Sequence, residues 1–71
     1  MADTIDMQPL RKWIHDLNNR VGVILASSEL LQLEQLSPKA MSRTKSIEQN
    51  SLELRELLRS VADHYLNGRN G

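Results

Sequence analysis

The part of this sequence best suited to chemistry is a histidine followed by an acid and, one helical turn later, by two amides. These residues are His15, Asp16, Asn18 and Asn19. A neutral imidazole is a good nucleophile near neutral pH because its pKa lies close to that range. Asp16 could orient the ring and accept its proton. The pattern predicts that His15 is a nucleophile that could take up a phosphoryl group, with Asp16 as its acid–base partner and Asn18 and Asn19 as neighbouring amides.

Two cations precede the histidine at helical spacing. Arg11 and Lys12 lie four and three residues before His15, so on a helix both are its neighbours. A phosphoryl group on the ring would meet these cations on one side and the amides on the other, which makes both cations candidate phosphate-binding residues. In an antiparallel pair of helices, Arg59 would lie level with the histidine and Arg55 one turn away, adding positive charge.

The same residues also fit an ordinary polar helix surface. A histidine at the edge of an apolar stripe is most often a solvated side chain, and Asp16 and Arg20 have the order of an i,i+4 ion pair. The other histidine, His64, lacks comparable surroundings and is interpreted as structural or incidental. Trp13 fits a packing residue beside the stripe. Residue types alone therefore keep a surface histidine as an alternative to a phosphoacceptor.

A long amphipathic segment must position these residues. Its stripe recurs at alternating spacings of four and three and is apolar except for one serine. The members are Leu10, Ile14, Leu17, Val21, Ile24, Ser28 and Leu31. This repeat predicts a helix over residues 9–35, with Pro9 in its first turn and Asp6 or Gln8 as its cap.

A second amphipathic segment follows the one turn signal within the chain. Ser37 can cap the second helix, and Pro38 fits its first position. The stripe has the same alternation as that of the first helix. Its members are Ala40, Thr44, Ile47, Ser51, Leu54, Leu58, Val61 and Tyr65. The helix is predicted to end near Leu66, before the stop signal at Asn67 and Gly68.

The 71 residues make at most one domain: a lead-in at 1–8, a helical hairpin at 9–66 and a tail at 67–71. Two long helices joined by so short a turn must be antiparallel.

Between residues 21 and 33 the first helix is apolar nearly all round, so it needs burial on more than one side. The predicted all-α fold is therefore a homodimeric four-helix bundle. The alternative is that these leucines dock on another protein or on a further part of a longer chain.

Composition argues against several other classes of protein. The chain has no cysteine, which excludes disulfides and thiolate metal sites, and its two distant histidines make a poor metal cluster. Nine basic and nine acidic residues cancel, which argues against a nucleic-acid-binding protein. No apolar run approaches the roughly 20 residues of a membrane span, and no signal peptide is visible. A cytoplasmic chain without membrane insertion is expected.

Residues 15–19 read His-Asp-Leu-Asn-Asn and continue into an apolar helix. This run resembles the H-box of the dimerisation and histidine-phosphotransfer (HisKA-like) domain of sensor histidine kinases, and residues 53–58 are similar to the weaker pattern of its second helix. The resemblance implies a homodimeric four-helix bundle in which His15 is phosphorylated, Asp16 is the general base and Asn19 helps to position the reacting groups. It also implies a response-regulator receiver as the next phosphate acceptor.

Arg20 departs from the family pattern, because many members have a proline at this position that bends the helix. A straighter first helix is therefore expected in this chain.

The chain has no glycine-rich nucleotide loop, so ATP and Mg²⁺ would act only through a separate kinase domain and no cofactor is expected in this chain. The expected function is a two-component signalling module that passes phosphate between a histidine kinase ATP-binding domain and a receiver. The alternatives are a non-catalytic dimerisation or adaptor module that regulates a kinase or receiver, and a coiled-coil scaffold unrelated to signalling.

Overall fold

The computed structural model describes residues 8–66, which form a hairpin of two α-helices. Helix α1 spans Gln8–Leu31, helix α2 spans Pro38–Val61, and α2 continues as a π-helical segment over Ala62–Leu66. Each α-helix has 24 residues, which corresponds to a length of about 36 Å. Within the described residues there is no strand, so the prediction of an all-helical hairpin is confirmed.

Side chains that share surface grooves show that the helices are antiparallel. Asn18 of α1 shares a groove with Arg59 of α2, and further along α1 Ile24 shares one with Ile47. Next to the turn, Gln32 Nε2 donates a hydrogen bond to Glu48 Oε1 at 2.9 Å. Later positions in α1 thus meet earlier positions in α2, which is the arrangement expected of two helices joined by a short turn.

Helix α1 begins one residue before its predicted start and ends four residues before its predicted end. Beyond Leu31 the hydrogen bonds change: the amide of Leu33 donates to the carbonyl of Leu30 at 3.0 Å, and that of Glu34 to Leu31 at 3.0 Å. Bonds that reach three residues back tighten the chain and are typical of a helix end. Gln8 is the first residue of the helix rather than part of a lead-in. The predictions for residues 1–7 and 67–71, including the proposed Asp6 cap, lie outside the described residues.

The predicted start of α2 is confirmed. Ser37 has an extended backbone, with φ −65° and ψ 160°, and its Oγ accepts a hydrogen bond from the amide of Ala40 at 3.1 Å. Pro38 occupies the first position of the helix, where the missing N–H has no intrahelical acceptor in any case. The local chemistry of the turn therefore fixes the residue at which α2 starts.

Replacing Ser37 by alanine is expected to lower the free energy of unfolding by about 1 kcal/mol, because the Ala40 amide loses its acceptor. Urea unfolding followed by circular dichroism, at matched protein concentration, measures the change. Ser42→Ala is the matched control, because Ser42 is an exposed serine inside the same helix. A Ser37→Ala variant as stable as the Ser42→Ala variant would contradict the role of Ser37 as a cap.

The interior of the hairpin is narrow and partly polar. Its buried apolar side chains are Ile14, Val21, Leu25 and Leu58, and its buried hydroxyl residues are Ser28, Thr44 and Ser51. Each hydroxyl donates to a carbonyl of its own helix at 2.8 Å, three or four residues back. No buried side-chain nitrogen or oxygen in the described part of the chain lacks a partner. Few apolar contacts are therefore available to hold the two helices together.

The predicted stripes divide into a buried half and a half-exposed half. Every seventh residue is buried, namely Ile14, Val21 and Ser28 on α1 and Thr44, Ser51 and Leu58 on α2. The positions between them form the half-exposed row, in which each side chain keeps 42% to 49% of its surface exposed: Leu17, Ile24, Leu31, Ile47 and Leu54. One neighbouring helix therefore covers only part of each predicted stripe.

Two further positions correct the predicted stripes. Leu25 is buried whereas Ile24 is half-exposed, so the contact side of α1 is rotated toward Leu25. At the end of α2, Tyr65 is 55% exposed and Leu66 is partly buried instead. A π-helical turn holds about one residue more than an α-helical turn, so the segment Ala62–Leu66 moves the contact position along by one residue.

Candidate functional site

His15 lies at the edge of the buried stripe of α1. It follows the buried Ile14, and the rotation of about 100° per residue in an α-helix carries its side chain away from the seam. The His15 side chain is 76% exposed. Its imidazole is therefore open to a reacting group that arrives from solvent or on another protein.

Asp16 provides the carboxylate beside the ring. Its Oδ1 lies 3.8 Å from Nδ1 of His15, which is beyond hydrogen-bond distance but within range of charge attraction when the ring is protonated. Nδ1 is the ring nitrogen that this contact joins to the carboxylate. The second ring nitrogen, Nε2, takes no part in it and is the candidate nucleophile.

Lys12 holds Asp16 in an ion pair on the surface of α1. Lys12 Nζ donates to Asp16 Oδ2 at 2.8 Å. This hydrogen bond is the main reason that the pKa of Asp16 lies below its ordinary value; partial desolvation opposes the shift, and the positive charges of Lys12 and of a protonated His15 add to it. The expected i,i+4 pair between Asp16 and Arg20 is not formed. Lys12, predicted to bind phosphate, is already engaged by a carboxylate.

Replacing Lys12 by methionine is expected to raise the pKa of the Asp16 carboxyl toward its ordinary value, because the main cause of its lowering is removed. A pH titration followed by NMR of the aspartate carboxyl carbons measures the shift. Any stability that the pair adds is present above the ordinary pKa and is lost as the pH falls through the lowered one. Arg11→Met is the control with equal charge loss. An equal rise in both variants would show a general charge effect instead.

A shallow surface groove lies on the other side of the seam from the half-exposed row. The residues that line this groove, here called the Asn–Arg groove, are Asn18, Asn19, Arg55, Arg59 and Ala62. It brings together the two amides predicted to follow the histidine and the two arginines predicted to face it from α2. His15 is not in its lining and lies one turn before the amides. Neither arginine has an ion-pair partner within residues 8–66.

The remaining candidates are distributed around this surface. Asn19 also borders a second shallow cavity, together with Asp16 and Arg20. Arg11 is exposed and has no ion-pair partner in the described part of the chain. Trp13, expected to pack beside the stripe, is largely exposed. His64 is exposed and its ring meets that of Tyr65 edge to face, with centroids 4.5 Å apart.

The Lys12–Asp16 pair is the feature of the site that sequence reasoning missed. Its i,i+4 spacing is visible in the sequence, but Asp16 has a second possible partner, Arg20, at the same spacing in the other direction. Spacing alone does not decide between them. Among the described residues no group of three or more potential metal ligands comes together. Nor does that part of the chain hold a helix with the length and apolar character needed to traverse a bilayer.

Comparisons of this chain with protein-family models, with curated proteins and with solved structures find no match. The geometry around His15 is therefore the basis on which a function can be argued.

Proposed function

We propose that this chain is a phosphotransfer module of two-component signalling. His15 accepts a phosphoryl group from a histidine kinase ATP-binding domain or from a phosphorylated receiver, and passes it to the aspartate of a receiver. The observation that supports this most directly is the exposed His15 ring with Nδ1 3.8 Å from the Asp16 carboxylate. The HisKA-like run of residues 15–19 supports the same proposal.

The proposed reaction starts from the neutral ring with its proton on Nδ1, the tautomer that the Asp16 carboxylate favours. The lone pair of Nε2 forms a bond to phosphorus while the bond from phosphorus to the leaving oxygen breaks, and that oxygen keeps the electron pair. The ring becomes cationic, and Asp16 stabilises this charge or accepts the Nδ1 proton. Lys12 lowers the pKa of Asp16, which favours the charged carboxylate that stabilises the positive ring.

The neighbours of His15 are proposed to bind and position the phosphoryl group. Arg11 has no ion-pair partner among the described residues and is the cation free to meet phosphoryl oxygens. Lys12 could do so only by releasing Asp16, to which it is bonded at 2.8 Å. Asn19 lies one helical turn after the histidine and offers an amide donor. Such groups act by positioning and by balancing charge, which is most of what phosphoryl transfer requires.

The module is proposed to work as a homodimeric four-helix bundle. In such a bundle each helix faces two neighbours, so half of each apolar stripe packs within the hairpin and half against the second hairpin. The half-exposed row has the heptad spacing expected of that second half, and Ile24, Ile47 and Leu54 line one groove. This row and the Asn–Arg groove lie on opposite sides of the seam. A dimer built on the row therefore leaves His15 accessible.

A non-catalytic adaptor is the second candidate, and one observation favours it. Val23 and Leu30 are largely exposed. Val23 lies two residues from the buried Val21 and Leu25, which places it on the far side of α1 from the seam, and Leu30, seven residues further on, lies on that same side. A dimer through the half-exposed row would not cover them. In this alternative they contact a kinase or receiver directly, and the module regulates that partner without accepting phosphate.

Phosphotransfer with partner proteins tests the proposal. The chain is incubated with histidine kinase ATP-binding domains and ³²P-labelled ATP, and separately with ³²P-labelled receivers, all from the organism that encodes it. We expect acid-labile label on the parent chain and none on His15→Ala, whose helical content is checked by circular dichroism. Label that persists on His15→Ala would reject the proposal. A His15→Gln variant that binds and regulates a partner as well as the parent does would favour the adaptor.

A further inference from the structure

We propose that the Asn–Arg groove is an anion-binding site, and that it holds the phosphoryl oxygens of the group transferred at His15. Its relation to transfer rests on the proposed function, whereas its affinity for an anion depends only on the residues of the groove. The site would extend the reactive surface from α1 to α2. It would make Arg55 and Arg59 positioning residues for a reaction that takes place on the other helix.

The charge of the groove is the first argument. Arg55 and Arg59 are four residues apart on α2, so two like charges lie next to each other on one helix face. Both side chains are exposed, and no described acidic residue forms an ion pair with either of them. None of the residues that line the groove is acidic. Adjacent like charges on one helix face disfavour the helix slightly, and an anion bound between the two arginines would remove that repulsion.

The donor chemistry of the groove is the second argument. Each guanidinium presents five N–H donors in a planar fork, and each asparagine amide presents two. Guanidinium forks match the spacing of phosphate oxygens, so paired arginines suit a phosphoryl group better than they suit a monatomic anion. The groove is shallow and open to solvent, which suits a group that arrives bound to a partner and leaves again.

The position of the groove is the third argument. Asn18 and Asn19 follow His15 by three and four residues and line the groove together with Arg55 and Arg59. One helical turn is about 5.4 Å, so a phosphoryl group at the His15 ring lies within reach of the two amides, which share the groove with the arginines. The two amides belong to α1 and the two arginines to α2, and a bound anion would therefore contact both helices.

Anion binding is tested by NMR with inorganic pyrophosphate as the probe and sodium chloride at matched ionic strength as the reference. We expect shifts of the Arg55 and Arg59 Nε–H signals and of the Asn18 and Asn19 side-chain amides. Arg55→Gln/Arg59→Gln should weaken binding at least about fivefold, from the loss of two charge-assisted contacts. The control Arg43→Gln/Lys45→Gln removes the same charge from exposed positions of the same helix. Equal weakening in both double variants, or no shifts in the groove, would overturn the proposal.

Phosphoryl transfer is tested with phosphoramidate, from which the phosphoryl group passes to Nε2 of His15 while ammonia leaves. We expect Arg55→Gln/Arg59→Gln to slow His15 phosphorylation by about three- to tenfold, with His64 and the control double variant unaffected. An unchanged rate at His15 would overturn the role of the groove in transfer. If His15 is inert while the groove binds pyrophosphate, the phosphotransfer function fails and the anion site stands. If His15 reacts and the groove binds nothing, the anion site fails and the function stands.

Discussion

Replacing Leu54 by glutamate is expected to dissociate the proposed dimer and to unfold much of the hairpin. Leu54 is 44% exposed in the single hairpin and belongs to the half-exposed row. In a four-helix bundle it would be buried against the second hairpin, where an unpaired carboxylate is strongly unfavourable. The dimer dissociation constant should rise at least about 100-fold, because one charge is buried from each of two chains.

Light scattering and circular dichroism, measured over the same concentration range, give the oligomeric state and the helical content. Leu57→Glu is the matched control: the residue type and the helix are the same, but Leu57 is 62% exposed and lies outside the row. We expect this control to remain dimeric and helical. A parent chain that is monomeric at high micromolar concentration, or equal behaviour of the two glutamate variants, would contradict a dimer built on the row.

Replacing His15 by glutamine is expected to abolish phosphohistidine formation at this position, since the amide side chain has no nucleophilic ring nitrogen. With phosphoramidate as donor, ³¹P NMR and mass spectrometry of peptides locate the phosphoryl group. The chain contains its own comparison, because His64 is a second exposed histidine whose ring contacts Tyr65 rather than a carboxylate. We expect His15 to react faster than His64.

The reciprocal variant His64→Gln should leave the rate at His15 unchanged. If His15 and His64 react at the same rate, Asp16 does not activate the ring. That result would contradict the mechanism proposed for this site, whereas the partner-dependent transfer described above would still distinguish a phosphoacceptor from an adaptor.

Local chemistry made the helices and the turn predictable. The start of α2 follows from Ser37 and Pro38, because a serine cap and a proline at the first helical position act within a few residues. The end of α1 was harder, since no helix breaker occurs between Leu31 and Pro38. The length of the turn depends on how the two helices pack against each other. The apolar pattern along one helix carries no information on that packing, so it does not show where α1 ends.

For a related reason, a single sequence does not show which residues of each stripe are buried and which are half-exposed. Ile24 and Leu25 are adjacent and equally apolar, and only the position of the second helix decides that Leu25 is the buried one. Tyr65 was assigned to the stripe on the assumption that the α-helix continues to that residue. The chain is π-helical there, and no local sequence signal indicates this. Patterns show which residues are apolar, whereas tertiary contacts select which of them are covered.

The candidate site was predictable where it depends on helix geometry. The exposure of His15 follows from its place beside Ile14, and Arg55 and Arg59 share a groove with Asn18 as an antiparallel hairpin predicts. The engagement of Lys12 with Asp16 was not foreseen. This ion pair lowers the pKa of Asp16 and so favours its charged form.

The buried hydroxyls have a mechanical consequence. Ser28, Thr44 and Ser51 bond to carbonyls of their own helices, so their hydrogen bonds run along each helix and none of them crosses to the other. At these three levels, axial sliding or rotation of one helix against the other would break no hydrogen bond made by a core side chain. Apart from the hydrogen bond from Gln32 to Glu48 next to the turn, the resistance there comes from the packing of small side chains, a weaker restraint on relative movement of the two halves of the proposed reactive surface.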